Sequence, residues 1–144
     1  NRAVITALIP RLEDPKAAVK SETIEQLEEL GDKRAVIPMV AKFDDSSPEV
    51  KKAALRAVGR LGDRAAVPAI VRKLAESDEG VRMAAVGALG QLGAVDALDA
   101  LVEQLQSGSE AYRGKVAYAL GQIAGAQGAV KALGEGGDEV ENGR

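Results

Sequence analysis

A Leu-Gly pair returns at a constant step along this chain and constrains its fold more than any other feature. The pair stands at Leu30-Gly31, Leu61-Gly62 and Leu92-Gly93, a step of 31 residues, and the next step reaches Ile123-Ala124. Self-similarity at such a period is typical of solenoids, in which each unit buries the apolar face of its neighbour. The step predicts units over residues 1–32, 33–63, 64–93 and 94–125, and a partial fifth over 126–133.

Each unit contains two stretches with the periodicity of a helix. The first stretch has apolar residues three and four positions apart, as at Val36, Met39 and Val40, which is one face of an amphipathic helix. A polar break follows, and Ser47 with Pro48 is its clearest helix start. The glycine of the Leu-Gly pair is then placed to end the second helix in a left-handed conformation. No segment alternates with period two, so we predict an all-α fold of stacked helical hairpins.

The composition limits the chemistry that the chain could perform. The 144 residues include no Cys and no His, which removes thiolate nucleophiles, the most common acid–base group at neutral pH and the usual zinc ligands. From this we predict no catalytic residue, no metal site, no cofactor and no enzyme. No apolar run approaches the roughly 20 residues that cross a bilayer, and a cytoplasmic location is expected.

The second helices resemble a known family. Residues Pro48 to Asp63 resemble the second helix of short HEAT repeats of the phycobilisome-lyase type, and Val81 to Gly93 repeat that pattern. Arg113 with residues 118–123 forms a weaker copy, and residues 19–32 depart most. The resemblance covers nearly the whole chain and implies an α-α superhelix, a HEAT-like solenoid of four hairpins and a partial fifth. It implies little about function, because such repeats serve many roles.

The resemblance also implies a ladder of charged residues between neighbouring units. HEAT repeats carry an acidic and a basic residue six positions apart that bridge adjacent units. The matching residues here are Asp14 with Lys20, Asp45 with Lys51, Glu76 with Arg82, and Arg113 opposite Ser107. The alternative role for these four cations is contact with a phosphate or carboxylate of a ligand.

The polar side of the second helices is the predicted binding surface, because HEAT-type solenoids expose these helices on the concave side. At about 100° per residue, the side opposite the apolar face lies two, six and ten residues after the apolar residue that opens each helix. In the first unit these positions hold Ser21, Glu25 and Glu29, and in the fourth they begin with Gly114. The predicted partner-binding ridge comprises Lys52, Arg56, Arg60, Met83, Gly87, Gln91, Tyr118 and Gln122. The alternative is a solvated surface on which like charges cluster by chance.

Several other residues carry expectations about packing. Tyr112 takes the repeat position of Val81 and is expected in the core. Residues 134–144 are Gly-rich and acidic and are expected to be disordered, with a short docking motif as the alternative. The apolar start of the first helix predicts that missing residues, another domain or a subunit covers the N-terminal end. Close helix packing is expected at three glycines inside second helices, where glycine is otherwise unfavourable, the alternative being close approach of a ligand backbone: Gly59, Gly90 and Gly121.

The leading functional hypothesis is a non-catalytic scaffold or adaptor that binds a protein partner, such as an acidic segment, on the concave face. Nucleic-acid binding is the first alternative, although the net charge of -3 does not favour it. Its candidate residues are Lys51, Lys52, Arg56, Arg60, Arg64 and Arg82. A bilin lyase or chromophore chaperone-like subunit is implied by the resemblance, against which stand the absent His and Cys and the few aromatic residues. A purely architectural subunit is also open.

Overall fold

The computed structural model describes residues 2–135, with the surroundings of side chains for residues 2–126, and this part of the chain contains eight α-helices and no strand. A short first helix and a longer second helix alternate, so four helical hairpins follow one another. The first helices are α1 (Arg2–Leu8), α3 (Val36–Val40), α5 (Val67–Arg72) and α7 (Leu98–Gln104). The second helices are α2 (Ala17–Leu30), α4 (Pro48–Leu61), α6 (Glu79–Leu92) and α8 (Glu110–Glu135). The predicted all-α superhelix is confirmed.

The first helices are short because 3₁₀ turns take up part of each predicted helix. Asp32 and Asp63 begin two of these turns, since their Oδ1 atoms accept hydrogen bonds from the backbone N–H groups of Arg34 (2.8 Å) and Ala65 (2.9 Å). Such side-chain bonds compete with the α-helical pattern at a helix start. The turns span Ile9–Glu13, Lys33–Ala35, Ala41–Asp44, Arg64–Ala66, Lys73–Ala75 and Val95–Ala97.

Helix α4 begins where its capping residues predict, and helices α2, α4 and α6 end at the glycines of the Leu-Gly pairs. Ser47 precedes α4 and its Oγ accepts a hydrogen bond from the Val50 N–H at 3.4 Å, with Pro48 as the first helical residue. The glycines of the Leu-Gly pairs have φ angles of 68°, 79° and 61°. Because side chains other than hydrogen are strained in this left-handed region, these glycines end the helices. They are Gly31, Gly62 and Gly93.

The core runs between the first and second helices of the hairpins, and consecutive second helices pack on one another, α2 on α4, α4 on α6 and α6 on α8. Glycines let two of these pairs approach closely. A Cβ on Gly59 would lie 2.9 Å from the Cα of Ala88, and one on Gly90 would lie 3.2 Å from the Cα of Ala119. Gly121 has no such neighbour within 4 Å among the described residues. Close helix packing therefore accounts for two of the three mid-helix glycines.

Helix α8 differs from the other second helices in its length. It continues through Ile123 and Ala124 to Glu135, so no break marks the expected boundary between residues 125 and 126. Alanine replaces the glycine of the repeat at position 124, and without a residue that favours the left-handed conformation the helix does not end there. The expected acidic tail lies outside the described residues, apart from its first two.

No helix within residues 2–135 combines sufficient length with sufficient apolar character to cross a bilayer.

Candidate functional site

The predicted ladder residues lie at the joints between units. Lys20 Nζ lies 2.7 Å from Asp45 Oδ1, and Lys51 Nζ lies 2.9 Å from Glu76 Oε1. In both pairs the base belongs to one unit and the acid to the next. Asp45 and Lys51, which lie six residues apart in one unit, therefore pair with different neighbours. Asp45 bridges to the preceding unit and Lys51 to the following unit. Asp14, at the first position of this series, instead accepts a hydrogen bond from the Lys16 backbone N–H at 2.9 Å.

The ladder changes at the third joint, between α6 and α8. Ser107 occupies the position of the acid there, and Arg82 binds atoms of its own unit instead of an acid of the next unit. Its Nη1 donates hydrogen bonds to the carbonyl oxygens of Glu76 (2.7 Å) and Ser77 (3.1 Å). Arg113 likewise donates to the carbonyl oxygen of Gly108, at 2.7 Å.

A second set of ion pairs joins the first helices, and the sequence analysis missed it. Lys42 Nζ lies 2.9 Å from Glu13 Oε2, and Lys73 pairs with Asp44 of the preceding unit and with Glu76 at 3.1 Å. The signal was present, because Lys42 and Lys73 are 31 residues apart. One further repeat step leads from Lys73 to Gln104 and from Asp44 to Ala75. This second ladder therefore also loses its charged residues at the third joint.

The side chain of Tyr112 packs at the third joint, between α6 and α8. Its side chain is fully buried, as the sequence predicts, and its hydroxyl donates a hydrogen bond of 2.7 Å to Gln104 Oε1. The guanidinium carbon of Arg82 lies 5.0 Å from the centre of the ring, within the range of a cation–π interaction. Glu79 adds a contact across the joint by accepting hydrogen bonds from the N–H and Oγ of Ser109, at 2.9 and 2.8 Å.

Glu76 predicts how stability depends on acid. Hydrogen bonds from Lys51 and Lys73 lower the pKa of Glu76 below its ordinary value of 4.5. A carboxyl with a depressed folded pKa contributes stability above its unfolded pKa, and that contribution is lost as pH falls through the folded pKa. We expect Glu76→Gln to cost on the order of 1 kcal/mol of unfolding free energy at pH 7 and less below pH 4. Urea unfolding at several pH values measures this.

The matched control for this acid dependence is Glu103→Gln. Glu103 is exposed and makes no ion pair among the described side chains. The Glu103→Gln substitution should leave the unfolding free energy near that of the unchanged protein, both at pH 7 and below pH 4. Equal behaviour of the two variants would show that the joint at Glu76 does not hold the units together.

The predicted ridge lies along a groove of about 370 Å³ that runs over α6 between α4 and α8. We call it the second-helix groove. Its lining includes every predicted ridge residue except Lys52, and Lys52 lies at its edge, where the Nζ atom is 3.2 Å from the place of a Cβ on Gly80. The lining residues are Arg56, Arg60, Gly80, Met83, Ala84, Gly87, Ala88, Gln91, Lys115, Tyr118, Ala119 and Gln122.

The groove is positively charged and partly apolar. Arg60 pairs with Glu28 of α2 at 3.0 Å, whereas Lys52, Arg56 and Lys115 form no ion pair among the described side chains. Tyr118 is 70% exposed although it is large and aromatic. Unpaired cations beside an exposed aromatic side chain favour an acidic ligand that also carries apolar groups.

The acidic residues of the first unit lie outside this groove. Glu25, Glu28 and Glu29 line a neighbouring cleft of about 250 Å³, which Arg56 and Arg60 also border. The charge along the second helices thus changes from acidic at α2 to basic at α4, as the ridge pattern describes.

Lys115 is the groove residue that the sequence analysis missed. One repeat step earlier the same position holds Ala84, and two steps earlier Ala53, both of which are buried. In α8 the position is exposed. The available signal was a cation at a position that holds alanine in the two preceding units, although the first unit has Glu22 there.

The cations considered for nucleic-acid binding do not share one surface. Lys51 is engaged by Glu76, Arg82 by loop carbonyls and the Tyr112 ring, and Arg60 by Glu28. Arg64 lines a different cleft, with Val67, Pro68, Val71, Ala94, Val95 and Asp96. No continuous track for a phosphate backbone results from this set within the described residues.

A family model described as HEAT repeats matches the chain three times, over residues 5–71, 38–121 and 69–141. No match was found among curated proteins. The overlapping matches span nearly the whole sequence and follow the repeat that Leu-Gly pairs mark.

Three solved structures are similar in fold. The complex of CpcE and CpcF of phycocyanin lyase from a Nostoc species is 22% identical with a TM-score of 0.76, covering 92% of this chain and 58% of that one. Human deoxyhypusine hydroxylase in complex with glycerol is 24% identical with a TM-score of 0.75, covering 87% and 45%. An engineered protein is 21% identical with a TM-score of 0.61, covering 95% and 74%. The chain thus spans about half the length of the first two.

Two of these structures correct one prediction. A lyase and a hydroxylase carry this helical stack, so the prediction from composition that the chain is not an enzyme is wrong. The fold occurs in catalytic proteins and does not exclude one. Likeness at this level of identity concerns the fold, and what those proteins act on is not carried over to this chain.

Proposed function

The chain belongs to the HEAT-repeat family, and from this premise we propose that it is an interaction scaffold whose second-helix groove, on the concave side of the stack, binds a segment of a partner protein. The observation that carries the proposal is that Lys52, Arg56 and Lys115 form no ion pair with the side chains of residues 2–126, while Tyr118 is exposed beside them. Buried apolar surface and charge complementarity are what a peptide segment would gain there.

The lining supports a protein partner over a nucleic acid. Met83 and Tyr118 contribute adaptable and aromatic contact area, which is common where proteins bind one another. A phosphate backbone would need a longer basic surface, and among the described residues the cations that line the groove are Arg56, Arg60 and Lys115. Binding that weakens steeply with salt and is independent of peptide sequence would support the nucleic-acid alternative.

The test begins with a partner segment selected from random peptides displayed on phage, with the full chain as bait. We expect selected peptides to combine acidic and apolar residues. Arg56→Glu should weaken their binding by about tenfold or more, equivalent to roughly 1.4 kcal/mol, because it replaces an unpaired groove cation with a repelling charge. Isothermal titration calorimetry measures the affinity.

Arg72→Glu is the charge-matched control. Arg72 is exposed on α5 and lies outside the groove, so peptide affinity should stay within about twofold of the unchanged protein. Peptides that bind both variants equally well would place the partner site elsewhere.

The expected covering of the N-terminal end and the cytoplasmic location stay predictions.

A further inference from the structure

Gly87 leaves a gap in the middle of the ridge. The corresponding residues of the other second helices are Glu25 in α2, Arg56 in α4 and Tyr118 in α8. Helix α6 alone has no side chain there. The flexible end of the Lys115 side chain lies over this position instead, and we call the space around it, within the second-helix groove, the Gly87 notch.

Helix packing does not explain this glycine. A Cβ on Gly87 would meet only the end of a flexible side chain, with Lys115 Cε at 3.3 Å and Nζ at 3.4 Å. At Gly59 and Gly90, by contrast, the backbone of the neighbouring helix is in the way. Glycine inside a helix costs about 1 kcal/mol relative to alanine, and the fold obtains no close approach of helices in return at this position.

Two cations from different helices line the second-helix groove around Gly87, and the Nζ atom of one of them, Lys115, lies 3.4 Å from the place of a Cβ at this position. Arg56 lies on α4 and Lys115 on α8, and both line the groove together with Met83 and Tyr118. No acidic side chain lines it within the described residues. The notch thus lies in a groove that is lined by cations from two helices and by the apolar surfaces of Met83 and Tyr118.

We propose that the Gly87 notch receives a carboxylate side chain of the bound protein segment, held between Arg56 and Lys115, while a neighbouring apolar residue of that segment packs on Met83 and Tyr118. This inference rests on the proposed function of the groove. Hydrogen bonds between an ionised carboxylate and a guanidinium or ammonium group are among the strongest in proteins, and a side chain at position 87 would occupy the space that the carboxylate needs.

The variant Gly87→Ala tests the notch with the selected peptides as probes. We expect it to weaken peptide binding by about tenfold while raising the midpoint of thermal unfolding, because alanine favours the helix. Gly121→Ala makes the same change on α8 outside the groove and should leave binding unchanged. The opposite directions of affinity and stability separate a filled notch from a damaged fold.

A double-mutant cycle identifies the bound group. Each acidic residue of the peptide is changed to its amide, Glu→Gln or Asp→Asn, and combined with Arg56→Gln and Lys115→Gln. One acidic residue should lose about tenfold in affinity when changed and should show coupling to both cations.

The outcomes separate the inference from the proposed function. Selected peptides that respond to Arg56→Glu but not to Gly87→Ala, or whose acidic residues show no coupling, would overturn the notch and leave the groove as a partner site. A selection that yields no peptide sensitive to any groove substitution would overturn both.

Discussion

Replacing Tyr112 with alanine should cost about 3–5 kcal/mol of unfolding free energy, the range for deleting a large buried aromatic side chain. Tyr112 is fully buried and lies at the joint between α6 and α8, where both ion-pair ladders lack their charged partners. Its ring also contacts Arg82, and its hydroxyl binds Gln104. Urea unfolding followed by circular dichroism measures the loss.

Two companion variants separate the contributions of this side chain. Tyr112→Phe keeps the ring and should cost about 1 kcal/mol, the usual net contribution of one hydrogen bond. Tyr118→Ala removes the same side chain from a position that is 70% exposed and should change stability by less than about 0.5 kcal/mol. Equal losses for Tyr112→Ala and Tyr118→Ala would contradict the role of Tyr112 in the third joint.

Adding a methyl group should have opposite effects at two glycines of the repeat. At Gly59 the new Cβ would lie 2.9 Å from the Cα of Ala88, so α4 and α6 must move apart. Overpacking of this kind typically costs about 1–3 kcal/mol, which outweighs the gain of about 1 kcal/mol in helix propensity. Net of that gain, we expect Gly59→Ala to destabilise the protein by up to about 2 kcal/mol.

The same substitution at Gly121 meets no atom of the described part of the chain within 4 Å. Gly121→Ala should therefore stabilise the protein by about 0.5–1 kcal/mol through helix propensity alone. Differential scanning calorimetry of both variants gives the sign directly. Stabilisation by both substitutions would mean that α4 and α6 are not packed as closely as described.

The sequence predicts those parts of the fold that depend on local pattern. The 31-residue step places the hairpins, and Gly31, Gly62 and Gly93 mark helix ends, because one residue type meets a backbone requirement at each site. The end of α8 was harder to predict. A periodic argument carries the unit boundary to Ile123-Ala124, whereas the helix follows the local chemistry of Ala124 and continues to Glu135.

The groove was only partly predictable, because its walls come from three helices far apart in sequence. Helical periodicity selects the exposed side of α4, α6 and α8 one helix at a time. It does not indicate that Lys115 reaches over α6 to Gly87, since that contact depends on how α8 packs on α6. The second ion-pair ladder was missed for a similar reason, because Lys42 and Lys73 meet acids of another unit.

The most direct test of the account is nuclear magnetic resonance of the isotopically labelled full chain during titration with a selected peptide. If the second-helix groove is the partner site, the largest amide shift changes will be those of the groove residues, among them Gly87, Gln91 and Tyr118. Changes centred on the first helices, such as at Arg72 and Val102, with the groove unaffected, would contradict it.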